Sequence, residues 1–330
     1  MTPDRTGRAL AAGALLLVVL SACTTIPKGL VLAPQDDAIA RTVARIAART
    51  PARLGVVALH VESGRRLAWN DSESFEAASV VKIALLAEAA AEWREARFDP
   101  DARWTLTEGA VAAGSGILDE FDPGLAPTNR DLLRIMISLS DNTAANRFID
   151  RFGREAVNRR MEALGLPGLK LVGRIPDAKR EPDRWAPLGR FTPRDTAEYF
   201  RRLFAGTLVG PEADAFMREI FRTQRTKNRI PRLLLSSKES SWAGKTGSMH
   251  GVRNDAGVLT TPKGRFVLVV FADRIPDDDR DGAAATRAMG EIARAVVGGW
   301  SATLPDVTLP PEAAPPLVPA AAPAGSAALP

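Results

Sequence analysis

Ser79 and Lys82 stand three residues apart in Ser79-Val80-Val81-Lys82, at the start of residues 79–93, a stretch rich in Ala, Leu and Val that holds neither Gly nor Pro. On a helix that spacing puts the hydroxyl and the amine on one face, one turn apart. A serine hydroxyl is a poor nucleophile until a base takes its proton, and a lysine amine that is desolvated and crowded by positive charge is such a base near neutral pH. With 15 serines and 8 lysines in the chain, the pair arises by chance about 0.4 times, so alone it reads equally as an ordinary helix start with Lys82 in solvent. Two more triplets follow in order. Ser140-Asp141-Asn142 lies between the apolar residues 132–139 and a helical run from Thr143, and Lys245-Thr246-Gly247 closes a predicted strand.

Together the three motifs resemble the signature of class A β-lactamases and penicillin-binding proteins. The similarity extends through residues 136–146, through Thr192-Pro193-Arg194-Asp195-Thr196-Ala197, and through Ala243 to Gly247 followed by Asn254-Asp255, covering about residues 36–298. It implies a mixed lobe built on a five-stranded antiparallel sheet beside an all-helical lobe. It also implies roles. Ser79 would be the acylated nucleophile, Lys82 its activator, and Ser140 a proton relay to the leaving nitrogen. Asn142 would hold Lys82 and the substrate's side-chain amide, and Lys245, Thr246 and Gly247 would receive the substrate carboxylate. The N–H groups of Ser79 and Ser248 would form the oxyanion hole. Arg253 reads either as a second carboxylate contact or as a solvated arginine on a strand edge.

The chain also departs from that pattern. Class A enzymes carry Glu-x-x-Leu-Asn between the Ser-Asp-Asn element and the Thr-Pro helix, and its glutamate activates the water that clears the acyl group. No such pentapeptide exists in residues 174–189. Ala186 follows Arg184-Trp185 where the glutamate belongs, while Glu181 and Asp177 offer carboxylates in the wrong context; Glu181 is the candidate deacylating base. The expected activity is β-lactam hydrolysis with slow deacylation. The alternatives are a penicillin-binding-protein-like D-Ala peptidase or amidase acting on peptidoglycan, and a wall-binding lipoprotein without turnover.

These residues need elements to position them, and the hydropathy pattern supplies an order. Helical spacing covers residues 37–49, and a hairpin-like pair follows at 54–61 and 66–69. Helical patterns then fill 79–93, 128–150 and 155–164. Thr192-Pro193-Arg194-Asp195 reads as a capped helix start with proline at the first position, leading to Phe204. Three late strands are predicted at 240–247, 253–261 and 265–272, and a terminal helix at 282–297. Strands at both ends of the chain and helices between them give an α+β fold: one antiparallel sheet flanked by terminal helices, beside a helical lobe. The site is expected in the cleft between the lobes.

The chain's 330 residues are 45% hydrophobic and 25% charged, with 44 Lys and Arg against 39 Asp and Glu, the balance of a globular protein without the concentrated basic stripe of a nucleic-acid binder. One cysteine and two histidines leave no disulfide framework and no zinc or iron–sulfur site; neither cofactor nor metal is expected. His60 and His250 read as non-catalytic, since no Gly-x-Ser-x-Gly elbow accompanies them. Gly114-Ser115-Gly116 reads as a loop turn, and 277–279, three aspartates, as a solvated turn.

At the N-terminus Arg5 and Arg8 precede an apolar run over 9–20 that ends in Leu20-Ser21-Ala22-Cys23, which resembles a bacterial lipobox. The expectation is a signal peptide over 1–22, lipid on Cys23, a linker over 23–35 and a domain over 36–300. The protein would then be exported and held at the cell envelope by a lipid anchor, as a monomer. Residues 303–330 carry eight of the 24 prolines, so 301–330 reads as a disordered tail.

Overall fold

A computed structural model describes residues 36–175, 187–235, 239–279, 281–307 and 309. Cys23, the signal and linker segments, Asp177, Glu181, Ala186 and most of the proline-rich tail lie outside the described residues.

The chain is α+β, with a five-stranded antiparallel sheet in the order β2-β1-β8-β7-β6. Its strands are β1 (Arg53–His60), β2 (Arg66–Trp69), β6 (Ser241–Met249), β7 (Val252–Thr261) and β8 (Gly264–Asp273). The early hairpin and the late meander meet where β1 pairs with β8, Val57 opposite Val269. Both faces of the sheet are covered, which is why β8 reads as an almost unbroken apolar run. Val267, Val269 and Phe271 point into the core shared with the helical lobe. Phe266, Leu268, Val270 and Ala272 point into a second core. That second core is closed by the terminal helices α1 (Asp37–Arg49) and α8 (Ala283–Ser301), and Trp300 Nε1 donates to Asp36 at 3.0 Å to tie their ends.

The helical lobe surrounds α2 (Lys82–Arg94), whose first ten residues are all buried. A helix enclosed on every side needs small residues where neighbours press closest, and seven of those ten are alanine or leucine without polar groups to satisfy. Around it lie α3 (Asn129–Ser138), α4 (Asn142–Phe152), α5 (Arg154–Ala163), α6 (Pro193–Ala205) and α7 (Pro211–Arg222). A small three-stranded sheet, in the order β3-β5-β4, joins the lobes through β3 (Phe75–Glu76), β4 (Leu169–Leu171) and β5 (Gly189–Phe191).

The sequence pattern differs from this architecture in four places. Residues 128–150 form two helices, because Ser140 adopts φ 60° and Asp141 caps the second by accepting from Ala144 N–H at 2.8 Å. Residues 78–81 are a 3-10 turn, so α2 begins at Lys82 rather than Ser79. Helix α7 and the small sheet were not anticipated: α7 starts behind Gly210-Pro211, a punctuated stretch, and two- or three-residue strands have no periodicity to read.

Asn254, fully buried on β7, fastens the nucleophile-bearing segment to the sheet. Its amide donates to Glu76 O at 2.8 Å and to Ala77 O at 3.1 Å, while its Oδ1 accepts from Ala272 N–H at 3.2 Å. Asn254→Ala is expected to strand these backbone groups and to cost about 1–3 kcal/mol in urea unfolding; an unchanged midpoint would contradict this account.

Candidate functional site

Ser79 sits in the middle of the 3-10 turn, after Ala78, which has a positive φ of 45°. Lys82, one turn on, is fully buried, and its ammonium nitrogen faces four oxygens. They are Ser79 Oγ at 3.3 Å, Ser140 O at 2.6 Å, Ser140 Oγ at 3.1 Å and Asn142 Oδ1 at 2.9 Å. The left-handed backbone at Ser140 turns both its carbonyl and its hydroxyl toward the same nitrogen, a conformation that costs a non-glycine residue about 1–3 kcal/mol. No carboxylate touches this amine among the described residues. Burial therefore lowers its pKa to about 7, against a weaker upward pull from Asp141.

Asp141 is occupied elsewhere. Its Oδ2 accepts from Ile117 and Leu118 N–H at 2.8 and 3.0 Å. Asn142 donates to Ala113 O at 3.0 Å from its side chain and to Ser115 O at 2.9 Å from its backbone. The Gly114-Ser115-Gly116 turn is thus bolted to the Ser-Asp-Asn segment, and a Cβ at Gly116, φ 136°, would stand 2.3 Å from Asp141 Oδ2.

Strand β6 brings the third motif. Lys245 is fully buried, donates to Thr246 O at 2.8 Å, and is held well below the usual lysine range by burial first and then by Lys82 and Arg229, opposed by Asp255. Gly247 permits the contact with the nucleophile: a Cβ there would meet Ala77 O at 2.8 Å and Val80 N at 3.1 Å. Two residues that motif reading overlooked organise the strand. Arg229, buried after α7, donates to Gly247 O at 2.8 Å, to Asn254 O at 2.6 Å and to Ser248 Oγ. Asp255 accepts from Ile230 N–H at 3.0 Å, and burial raises its carboxyl to about 7 although Arg229 and Lys245 pull it down. Asn254-Asp255 belongs to the segments that resemble the family, whereas Arg229 lies in no motif, and nothing in the sequence marks it.

The remaining predicted residues fall apart from this cluster. Arg253 donates to Met249 O and Val252 O at 2.8 Å and to Asp281 O at 3.1 Å, spanning the β6–β7 turn. His60 is buried between Ser63 Oγ and Lys263 O, each 2.8 Å away, and His250 is exposed beside Asp277 at 2.9 Å. Asp279 caps α8 through Ala283 and Ala284 N–H. Two further buried side chains hold the residues that bracket 176–186. Asn146 on α4 exchanges two hydrogen bonds with the backbone of Ile175 at 3.0 and 3.1 Å, and Glu76 accepts from Leu188 N–H at 3.1 Å.

A hydroxyl bonded to a buried amine whose pKa is lowered to about 7, beside a second hydroxyl and with Lys245 on the edge strand and Arg229 against it, can pass a proton out of the serine and receive an anion. Fold and site together are those of a β-lactamase-like serine hydrolase. The chain belongs to the β-lactamase enzyme family, whose model matches residues 38–300. A β-lactamase of Rhodobacter capsulatus is 26% identical over 265 residues, 79% of this chain and 88% of that one. The crystal structure of a β-lactamase from Sphaerobacter thermophilus superposes with a TM-score of 0.73 at 32% identity, covering 82% of this chain and 99% of the other. A variant of PBP-A, solved as an acyl-enzyme complex with penicillin G, shares the fold at TM-score 0.69 and 24% identity, over 79% of this chain and 97% of its own.

The lowered pKa of Lys82 has two measurable consequences. If the neutral amine is the base, the rate of serine acylation rises with pH through about 7 and then levels; a limb displaced toward 10 would place Lys82 in water. Because the unfolded chain holds the Lys82 proton up to about 10.5 and the folded chain releases it near 7, burial of this group penalises the fold fully below pH 7 and progressively less above it. The gain in melting temperature of Lys82→Met over the parent is therefore expected to be larger at pH 6 than at pH 9.5.

Proposed function

We propose that the protein opens β-lactam rings through an acyl-enzyme on Ser79. The observation that carries this reading is the 3.3 Å contact between Ser79 Oγ and a buried Lys82 amine whose other neighbours are all uncharged oxygens. In this reading neutral Lys82 takes the Ser79 proton as Oγ attacks the lactam carbonyl. The carbonyl's developing negative charge is met by the N–H groups of Ser79 and Ser248. When the C–N bond breaks, the proton reaches the departing nitrogen through the Ser140 hydroxyl, 3.1 Å from the Lys82 amine. Asn142 holds Lys82 and the acyl side-chain amide, and Lys245 with Thr246 and Gly247 receives the ring carboxylate. Arg229, through Ser248 and Gly247, keeps that end of β6 in place and positive.

Water must then release the acyl group. The sequence lacks Glu-x-x-Leu-Asn, and Glu181 is the carboxylate assigned here to activate the water, with slow deacylation as the consequence. The same absence favours a second reading, a penicillin-binding-protein-like peptidase whose acyl group passes to a peptidoglycan acceptor. We assign the chain to the cell envelope, exported and anchored through lipid on Cys23, the last residue of Leu20-Ser21-Ala22-Cys23.

Intact-mass spectrometry of the full chain mixed with a penicillin and a cephalosporin separates these readings. An adduct that forms within minutes, fails to form in Ser79→Ala, and disappears as opened β-lactam accumulates supports the hydrolase; Glu181→Gln is then expected to prolong its lifetime at least tenfold. An adduct that persists for hours supports the peptidase, and no adduct at all overturns acylation of Ser79.

A further inference from the structure

The segment between α7 and the 3-10 turn Ile230–Leu233 is anchored at two points along β6. At its start the buried Gln224 amide donates to Ile137 O at 3.1 Å and reaches Gly244 O at 3.5 Å, while its Oε1 accepts from Thr226 N–H at 2.9 Å. At its end Arg229 donates to Gly247 O and Ser248 Oγ. Gly244 and Gly247 flank Lys245-Thr246, so residues 225–228 run beside the two residues assigned to the ring carboxylate.

That short run is basic and exposed. Residues 222–232 hold Arg222, Arg225, Lys227, Arg229 and Arg232 and no carboxylate. Arg229 is buried in the strand contact, and the stem of Arg232 lies against Gly290 of α8. Arg225 and Lys227 point to solvent, and neither forms an ion pair or hydrogen bond with another described residue. Described carboxylates on the adjoining elements are committed elsewhere: Glu219 pairs with Arg134 at 2.6 Å, Asp214 accepts from Leu208 and Val209 N–H, and Asp255 is buried beside Arg229. One ring carboxylate is served by Lys245 and Thr246, which leaves two cations on that rim without an ion-pair partner among the described residues.

We propose that Arg225 and Lys227 form an outer anion lip that selects β-lactams carrying a second negative charge on the side of the ring carboxylate. The proposal rests on the reading of Ser79 as the acylated residue. Exposed charge pairs are weak, each worth a few tenths to about 1 kcal/mol and screened beyond about 10 Å at 0.1 M salt. The two together therefore shift selectivity by roughly three- to tenfold rather than switching activity on or off.

The test compares two cephalosporins with the same acyl side chain, cefotaxime, whose C3 substituent is neutral, and ceftriaxone, whose C3 substituent is an ionised triazine. The second-order rate of adduct formation is measured for the full-chain parent and for Arg225→Glu/Lys227→Glu at 20 mM and 500 mM salt. The proposal expects the double variant to lose roughly tenfold or more with ceftriaxone at low salt, to lose at least about threefold less with cefotaxime, whose single carboxylate also feels the reversed charge, and to lose the difference at high salt. Equal losses for both compounds, or no loss for either, overturn it. Absence of adducts with either compound in the parent would overturn the acylation reading instead. Both side chains are exposed, and a melting temperature unchanged by the double substitution separates the electrostatic effect from a folding defect.

Discussion

Burial of one amine organises this protein. Lys82 lies at the first position of a helix enclosed on all sides, and a desolvated ammonium without a carboxylate partner is among the more expensive things a fold can contain. The structure lowers that cost by letting the group lose its proton near neutral pH and by surrounding it with neutral oxygens from three separate stretches of chain, at Ser79, Ser140 and Asn142. Each of those stretches is bent to comply. Ala78 and Ser140 take left-handed backbone, and Asp141 gives both its oxygens to backbone N–H groups instead of to the amine beside it. A carboxylate turned toward Lys82 would stabilise the charged form and remove the base.

The sheet answers the same constraint from the other side of the cleft. A second fully buried lysine, Lys245, is held well below the usual lysine range by burial first and then by Lys82 and Arg229. Among the described residues, Asp255 is the counter-charge that acts on both Lys245 and Arg229. Such a row is costly in an empty protein and favourable when an anion arrives, the arrangement expected where charge is to be bound rather than merely stored. Gly247 and Asn254 convert this electrostatic field into geometry. The glycine lets β6 approach the Ser79 turn to backbone contact, and the asparagine amide locks that turn to β7.

The two halves of the proposed reaction thus have unequal structural foundations. Groups needed to form an acyl-serine are held by short, buried hydrogen bonds within one cluster. Asn146 lies on α4 with Asn142 and holds Ile175, and Glu76 lies on β3, three residues before Ser79, and holds Leu188, so both flanks of residues 176–186 are tied to elements of the cleft.

The sequence by itself determined the α+β class, the antiparallel sheet assembled from both ends of the chain, and the Ser79–Lys82 pairing. Period-two and period-3.6 patterns and a three-residue spacing are local properties, and local properties survive without a fold. It also placed Ser140, Asn142 and Lys245, though only through resemblance, since nothing in the intervening residues says that positions 82 and 140 will meet. Only the tertiary structure decided that Lys82 is buried rather than solvated, that Ser140 splits one helical pattern into two, and that Arg253 serves the β6–β7 turn while Arg229 reaches β6. Both arginines look alike in sequence. Which one enters the interior depends on long-range packing of the segment after α7 against β6, and desolvation, the force that sets the Lys82 pKa, exists only after that packing has excluded water.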